Sequence, residues 1–96
     1  MQLARVVGTV VSTQKTQHLT GMKLLVVEPV DARTLESTGK PIVAVDGVGA
    51  GEGEVVLYVS GSSARLTERT ENRPVDATIM AIVDFVEVDG KQTFAK

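Results

Sequence analysis

The side chains with the most chemical potential are gathered in residues 46–65, DGVGAGEGEVVLYVSGSSAR. Gly47, Gly49, Gly51 and Gly53 alternate through a first small-residue loop, and Ser60, Gly61, Ser62, Ser63 and Ala64 form a second. Glycine amides can cradle a phosphate, a serine can act as a nucleophile, and Asp46, Glu52 and Glu54 could hold a hard cation. A fourth use needs no ligand: residues with little side chain let another backbone come very close.

Three of these readings lose ground on spacing. A phosphate loop of the Walker type ends in Gly-Lys-Ser/Thr and opens a helix, whereas Gly53 is followed by Glu54 and an apolar strand pattern. A dinucleotide site likewise requires a helix N-terminus, and two glutamates inside the loop would repel phosphate. The string Ser-Gly-Ser-Ser-Ala-Arg is not a nucleophile elbow, and the only histidine, His18, lies in a polar segment with nothing to place it beside Ser62 or Ser63. A small enzyme using Ser62 or Asp84 therefore lacks a base. Acidic residues form no D-x-D-x-D-G loop. With one His and no Cys there is no thiolate or imidazole cluster for a transition metal. Asp46, Glu52, Glu54, Asp76 and Asp84 read instead as solvated carboxylates or as partners for Arg5, Arg65 and Arg73. The sequence points to no catalytic residue, no cofactor and no metal.

The elements that would position these loops are strands. Seventeen of 96 residues are Val, against three Ile and seven Leu, and β-branched side chains suit a pleated sheet. Five apolar segments stand out: 2–13, Met22 to Val30, Ile42 to Asp46, Glu54 to Val59 and Thr78 to Val88. Five short strands with Gly-rich connections predict an all-β, small five-stranded closed barrel, since closure removes exposed edges. Gly8 marks a bend in the long first strand. One short helix is expected near Ser62, capped by Ser62 or Ser63 and carrying Ala64, Arg65 and Leu66. The polar run Thr67 to Pro74 (TERTENRP) reads as an exposed loop, with a turn near Pro74 to Ala77. The length fits one domain over 1–96, with the barrel at about 2–88 and a C-terminal tail at 89–96.

Charge and composition restrict the partners. Twelve acidic against ten basic residues, with only Tyr58, Phe85 and Phe94 as aromatics, argue against nucleic acid. No apolar run reaches the roughly 18 residues of a membrane span, and no signal-peptide pattern opens the chain, so a soluble intracellular protein is expected. Several segments are apolar on both faces: Leu24 and Val26 against Leu25 and Val27, or Met80 and Ile82 against Ile79 and Ala81. A small barrel has a single interior, so the other faces call for a cover such as a second copy of the chain.

Four blocks carry a more specific signal: LARVVGTVVSTQK, LTGMKLLVVEPV, VAVDGVGAGEGEVVLYVSGSSAR and PVDATIMAIVDFVEV. In order and spacing they resemble the vertex proteins of bacterial microcompartment shells, over about residues 2–88. The match departs at Asp31 to Lys40, at Thr67 to Arg73 and after Val88. The resemblance implies an oligonucleotide-binding-like barrel assembled as a cyclic homopentamer. It also implies a structural role at the fivefold vertices of a cytoplasmic shell, beside hexameric and trimeric facet proteins, with no nucleic acid or membrane partner. On that reading Gly49, Gly51 and Gly53 permit close approach at a subunit interface or axis. Ser60, Gly61, Ser62 and Ser63 border the axial region, and Glu54 and Arg65 are candidates for an ion pair at or near the interface. Asp84, inside an apolar segment, is expected to bind backbone amides or an arginine. The competing reading is a small barrel that binds nucleic acid, or a peptide on a strand edge.

Overall fold

In a computed structural model, residues 1–13, 15–19, 21–67, 70 and 76–96 are described. Seven strands follow one another: β1 (Gln2–Val10), β2 (Leu24–Pro29), β3 (Ile42–Asp46), β4 (Val55–Ser60), β5 (Ala77–Ile82), β6 (Phe85–Val88) and β7 (Lys91–Ala95). The first five close a barrel in the order β1-β2-β3-β5-β4. All neighbours are antiparallel except β3 and β5, which run parallel and pair, among the described residues, at Val45 with Thr78 and Asp46 with Ile79. β1 serves two partners, β4 through Gln2 to Arg5 and β2 through Ala4 to Val10. A register shift between Val6 and Gly8 lets it turn the corner between them, where the sequence places its bend. The barrel interior is filled by Ala4, Val6, Leu25, Val27, Ala44, Val56, Tyr58 and Ile79, all buried. They alternate with outward residues as the two-residue period of a strand demands.

The fifth apolar segment departs from the expected single strand over Thr78 to Val88. β5 ends at Ile82, and the chain bends at Asp84 before β6 begins. β6 then pairs with β7 in a separate two-stranded sheet. Asp89 and Gly90, at φ 53° and 77°, make the two-residue turn between them. That is the left-handed pair an Asp-Gly hairpin favours. Residues 89–96 are thus half of a hairpin arm rather than a plain tail. The arm is held to the 31–34 turn: Thr93 Oγ1 donates to the Ala32 carbonyl at 2.6 Å, and Arg33 meets Asp89 at 2.6 Å. With the arm, the molecule measures 46 × 23 × 21 Å.

The described residues also include two short 3₁₀ turns, Gln17–Leu19 and Gly61–Arg65. The second stands where a helix was expected, but it is a tighter turn that opens at Gly61, whose φ is +69°. The Gly61 amide donates to the Asp76 carbonyl at 2.8 Å. Ala64 is buried, and its carbonyl accepts a 2.6 Å hydrogen bond from Thr78 Oγ1, itself fully buried on β5. Thr78→Val keeps the shape and the strand preference but leaves that buried carbonyl without this donor. The expected loss is about 1–3 kcal/mol of stability, read as a lower thermal midpoint with an unchanged strand spectrum. Most of the expected loop Thr67 to Pro74, with Arg73, and the first half of the turn near Pro74 to Ala77 lie outside the described residues. Thr70, inside that run, is buried and exchanges hydrogen bonds with Thr67.

Candidate functional site

The first small-residue loop folds around two carboxylates. Asp46, at the end of β3, is 4% exposed. Its Oδ1 accepts the amides of Val48 and Gly49 at 3.0 and 3.1 Å, and its Oδ2 lies 3.5 Å from Lys23 Nζ. Lys23 also donates to the Ala50 carbonyl at 2.9 Å, and Ala50 is sunk in the core. Glu54 does the equivalent at the other end, accepting the Gly51 amide at 2.8 Å. The Gly53 amide donates to the Val6 carbonyl and the Val6 amide to the Glu54 carbonyl, which stitches the loop to β1. The amides of Val48, Gly49, Gly51 and Gly53 are thus all engaged inside the chain, which leaves none of these four for a phosphate. Asp46, expected among solvated carboxylates, is a buried loop organiser. The signal was there in its position, two and three residues before the amides it caps.

The glycines separate into two kinds. Gly49 and Gly53 have φ of +82° and +86°, a region that costs other residues roughly 1–2 kcal/mol. Their identity is set by the chain's own turn. Gly51 is different. Its φ is not positive, and a Cβ built there would meet only the Glu54 Oε1 at 3.6 Å, an ordinary contact. Nothing within the chain requires glycine at 51.

Glu54 carries a second contact that the sequence did not suggest. Its Oε2 lies 2.8 Å from Lys96 Nζ, so the end of the arm is clipped to the glycine loop. The Lys96 hydrogen bond, then the Gly51 amide, hold the Glu54 carboxyl below its ordinary range, and the same pairing raises Lys96. A depressed carboxyl contributes stability above its unfolded value and loses it as pH falls through the folded one. A raised lysine contributes below its unfolded value and loses it as pH rises through the folded one. The clip therefore works across the neutral range and fails at both ends. Melting temperatures of the native chain and of Lys96→Met should differ near neutrality and converge in acid. A constant difference down to strongly acid pH would contradict the clip.

Glu54 and Arg65, expected to pair at or near a subunit interface, do not meet within one chain. Glu54 precedes β4 and Arg65 follows it, so the strand holds them roughly 20 Å apart. Arg65 is exposed, as are Ser60, Gly61 and Ser62, at the end of β4 away from the glycine loop. The Ser63 side chain is outside the described residues. Asp84 is exposed in the bend between β5 and β6, and its carbonyl accepts the Lys96 amide at 2.8 Å. The burial that would have forced it to seek an arginine is absent. Among the described residues, no three His, Cys, Asp or Glu side chains are grouped to hold a metal.

The outer surface supplies what the loops do not. On one side Leu3, Leu57 and Ala81 stand in register across β1, β4 and β5, half-buried. An open groove of about 770 Å³ beside them is lined by Met1, Leu3, Pro29, Val30 and Leu57. On another side Val26 lies opposite both Gly8 and Val43, and Val43 and Val7 are 48% and 45% exposed. These are two unlike apolar surfaces on one small barrel. Head-to-tail association into a closed ring uses such a pair, one patch of each copy meeting the other patch of the next.

The family model described as "Ethanolamine utilisation protein EutN/carboxysome" matches residues 1–84. The microcompartment shell vertex protein EutN of Salmonella typhimurium is 49% identical over 96 residues, covering 100% of this chain and 96% of that protein. The carboxysome shell vertex protein CcmL of Gloeobacter violaceus is 44% identical, covering 100% and 95%. Its solved structure superposes with a TM-score of 0.92 over 100% of this chain and 98% of the other. The pentameric microcompartment shell protein GrpN of Rhodospirillum rubrum superposes with a TM-score of 0.79 at 46% identity, over 92% and 98%.

Proposed function

This chain belongs to the EutN/carboxysome family of shell vertex proteins, and from that premise we propose a structural role in closing a shell. The protein is a vertex subunit of a bacterial microcompartment shell, working as a pentamer. A sheet tiled with hexagons is flat, and pentagons must be introduced to curve and close it. A ring of five barrels is such a pentagon.

The observation that carries this reading is the pair of unlike apolar stripes, Leu3–Leu57–Ala81 and Val26–Val43, on a barrel where the amides of Val48, Gly49, Gly51 and Gly53 are spent internally. The apolar surface suits a protein partner, and those four amides are not open to receive an anion. Gly49, Gly51 and Gly53, with Ser60 to Ser63, lie nearest the ring contacts or axis, where each side chain is repeated around the ring and bulk is least tolerated. Glu54 and Arg65, too far apart in one chain, are placed to pair between copies. Hexameric and trimeric shell proteins are the partners around each vertex. The role is structural, with no reaction of its own.

Co-expression with hexameric facet proteins, with and without this chain, tests the assignment. Closed polyhedral particles should require the chain, and open sheets or tubes should form in its absence. Equally closed particles in both cases would overturn it.

A further inference from the structure

The sequence has two Asp-Gly steps, Asp46–Gly47 and Asp89–Gly90. At such a step the glycine amide nitrogen can attack the carboxyl of the preceding side chain, because glycine has no Cβ to hinder the approach. The fold treats the two steps in opposite ways.

Asp46 is locked. Its side chain is 1% exposed, and its Oδ1 accepts the amides of Val48 and Gly49. The peptide after it is packed as well, since a Cβ at Gly47 would stand 3.3 Å from the Ile79 carbonyl oxygen. Asp89 is open on each of these counts. Its side chain is 71% exposed, and its partner is the Arg33 guanidinium at 2.6 Å. The hairpin ladder closes at Val88 with Lys91, so the peptide between Asp89 and Gly90 lies outside it. A Cβ at Gly90 would meet nothing within 4 Å.

We propose that Asp89–Gly90 is a site of spontaneous isoaspartate formation, restrained by Arg33. The Gly90 nitrogen attacks Cγ of Asp89 in its carboxylic acid form. The N–C bond forms, the C–OH bond breaks, and the hydroxyl leaves with the amide proton as water, giving a cyclic succinimide. Water then reopens the ring. Addition at Cγ restores aspartate, whereas addition at the main-chain carbonyl carbon leaves the backbone running through Cβ and Cγ. The net reaction is an isomerisation and needs no reagent besides water. Arg33 ties down one carboxylate oxygen, and the carboxyl must leave that contact to react. Both partners are exposed, and such pairs are weak and screened by salt, so Arg33 slows the reaction without preventing it.

The product alters the arm. Isoaspartate adds a carbon to the backbone of a two-residue turn that depends on a left-handed pair at 89 and 90. It also shortens the branch that carries the carboxylate, which draws back from Arg33. The arm is left with Thr93 on Ala32 and Lys96 on Glu54 as polar fastenings, and a two-stranded ribbon has little stability of its own.

The purified full chain, held in warm neutral buffer, tests this by peptide mapping with electron-transfer fragmentation. A second readout is methyl uptake from S-adenosylmethionine by an isoaspartyl methyltransferase. Isoaspartate should accumulate at 89 and not at 46. Arg33→Met should raise the rate several-fold, and Asp89→Glu, which would have to close a larger ring, should abolish methyl uptake. Amide hydrogen exchange over residues 85–95 should be faster in the isomerised fraction than in the native one. No isoaspartate at 89 in either the native chain or Arg33→Met, or equal rates at 46 and 89, overturns the site. Equal rates in the native chain and Arg33→Met overturn the restraint, and unchanged exchange overturns the loosening of the arm.

Discussion

Gly51→Val is expected to leave the barrel folded and to abolish the ring. The chain has room for a Cβ: the backbone at 51 is outside the left-handed region, and the nearest neighbour of a new Cβ is the end of the flexible Glu54 side chain at 3.6 Å. The monomer should therefore melt close to the native value. In the proposed ring a neighbouring copy packs against this loop and leaves no such slack, because the added bulk recurs at every interface. Gly53→Val makes the contrast. At φ +86° it strains the turn whose amide bonds to Val6, so it should cost roughly 1–2 kcal/mol in the folded chain itself. Size-exclusion chromatography with light scattering distinguishes them. A pentamer of unaltered stability from Gly51→Val would mean that nothing approaches the loop closely.

Asp46→Ala is expected to damage the fold more than any other single carboxylate change. Its side chain is 1% exposed and holds two loop amides. Hydrogen bonds to a charged acceptor contribute about 1.5–3 kcal/mol each. Since the freed loop can turn partly toward water, a net loss of about 3 kcal/mol is expected in denaturant unfolding. Lys23 adds little to that figure, because its side chain is half-exposed and can be hydrated. Asp46→Asn keeps the Oδ1 acceptor and should lose about 1 kcal/mol or less. Equal losses in the two variants would place the effect in the ion pair and not in the loop amides.

The closed barrel was legible because its cause is local. Valine-rich segments alternate between faces, and the turn residues between them set the breaks. The arm was misread for an equally local reason. Thr78 to Val88 is apolar almost throughout, and only Asp84 interrupts it, so the strand break looked like an odd residue in a continuous strand. The Asp-Gly at 89–90 was a hairpin signal that the short polar end of the chain concealed. In the glycine loop, composition announced close approach without separating its two sources. Gly49 and Gly53 answer to backbone torsion, whereas Gly51 is free of it, and that distinction exists only in dihedral angles. Glu54 also has a partner inside its own chain that its sequence neighbourhood does not announce. Its partner Lys96 is distant in sequence and is brought near only by the hairpin's return.

The central claim is that unlike faces of this barrel close a ring of five. Native mass spectrometry of the purified chain measures it without a model of the shell. A dominant species at five times the 10.2 kDa chain mass is the expected result, and a monomer or dimer persisting at micromolar concentration would contradict it.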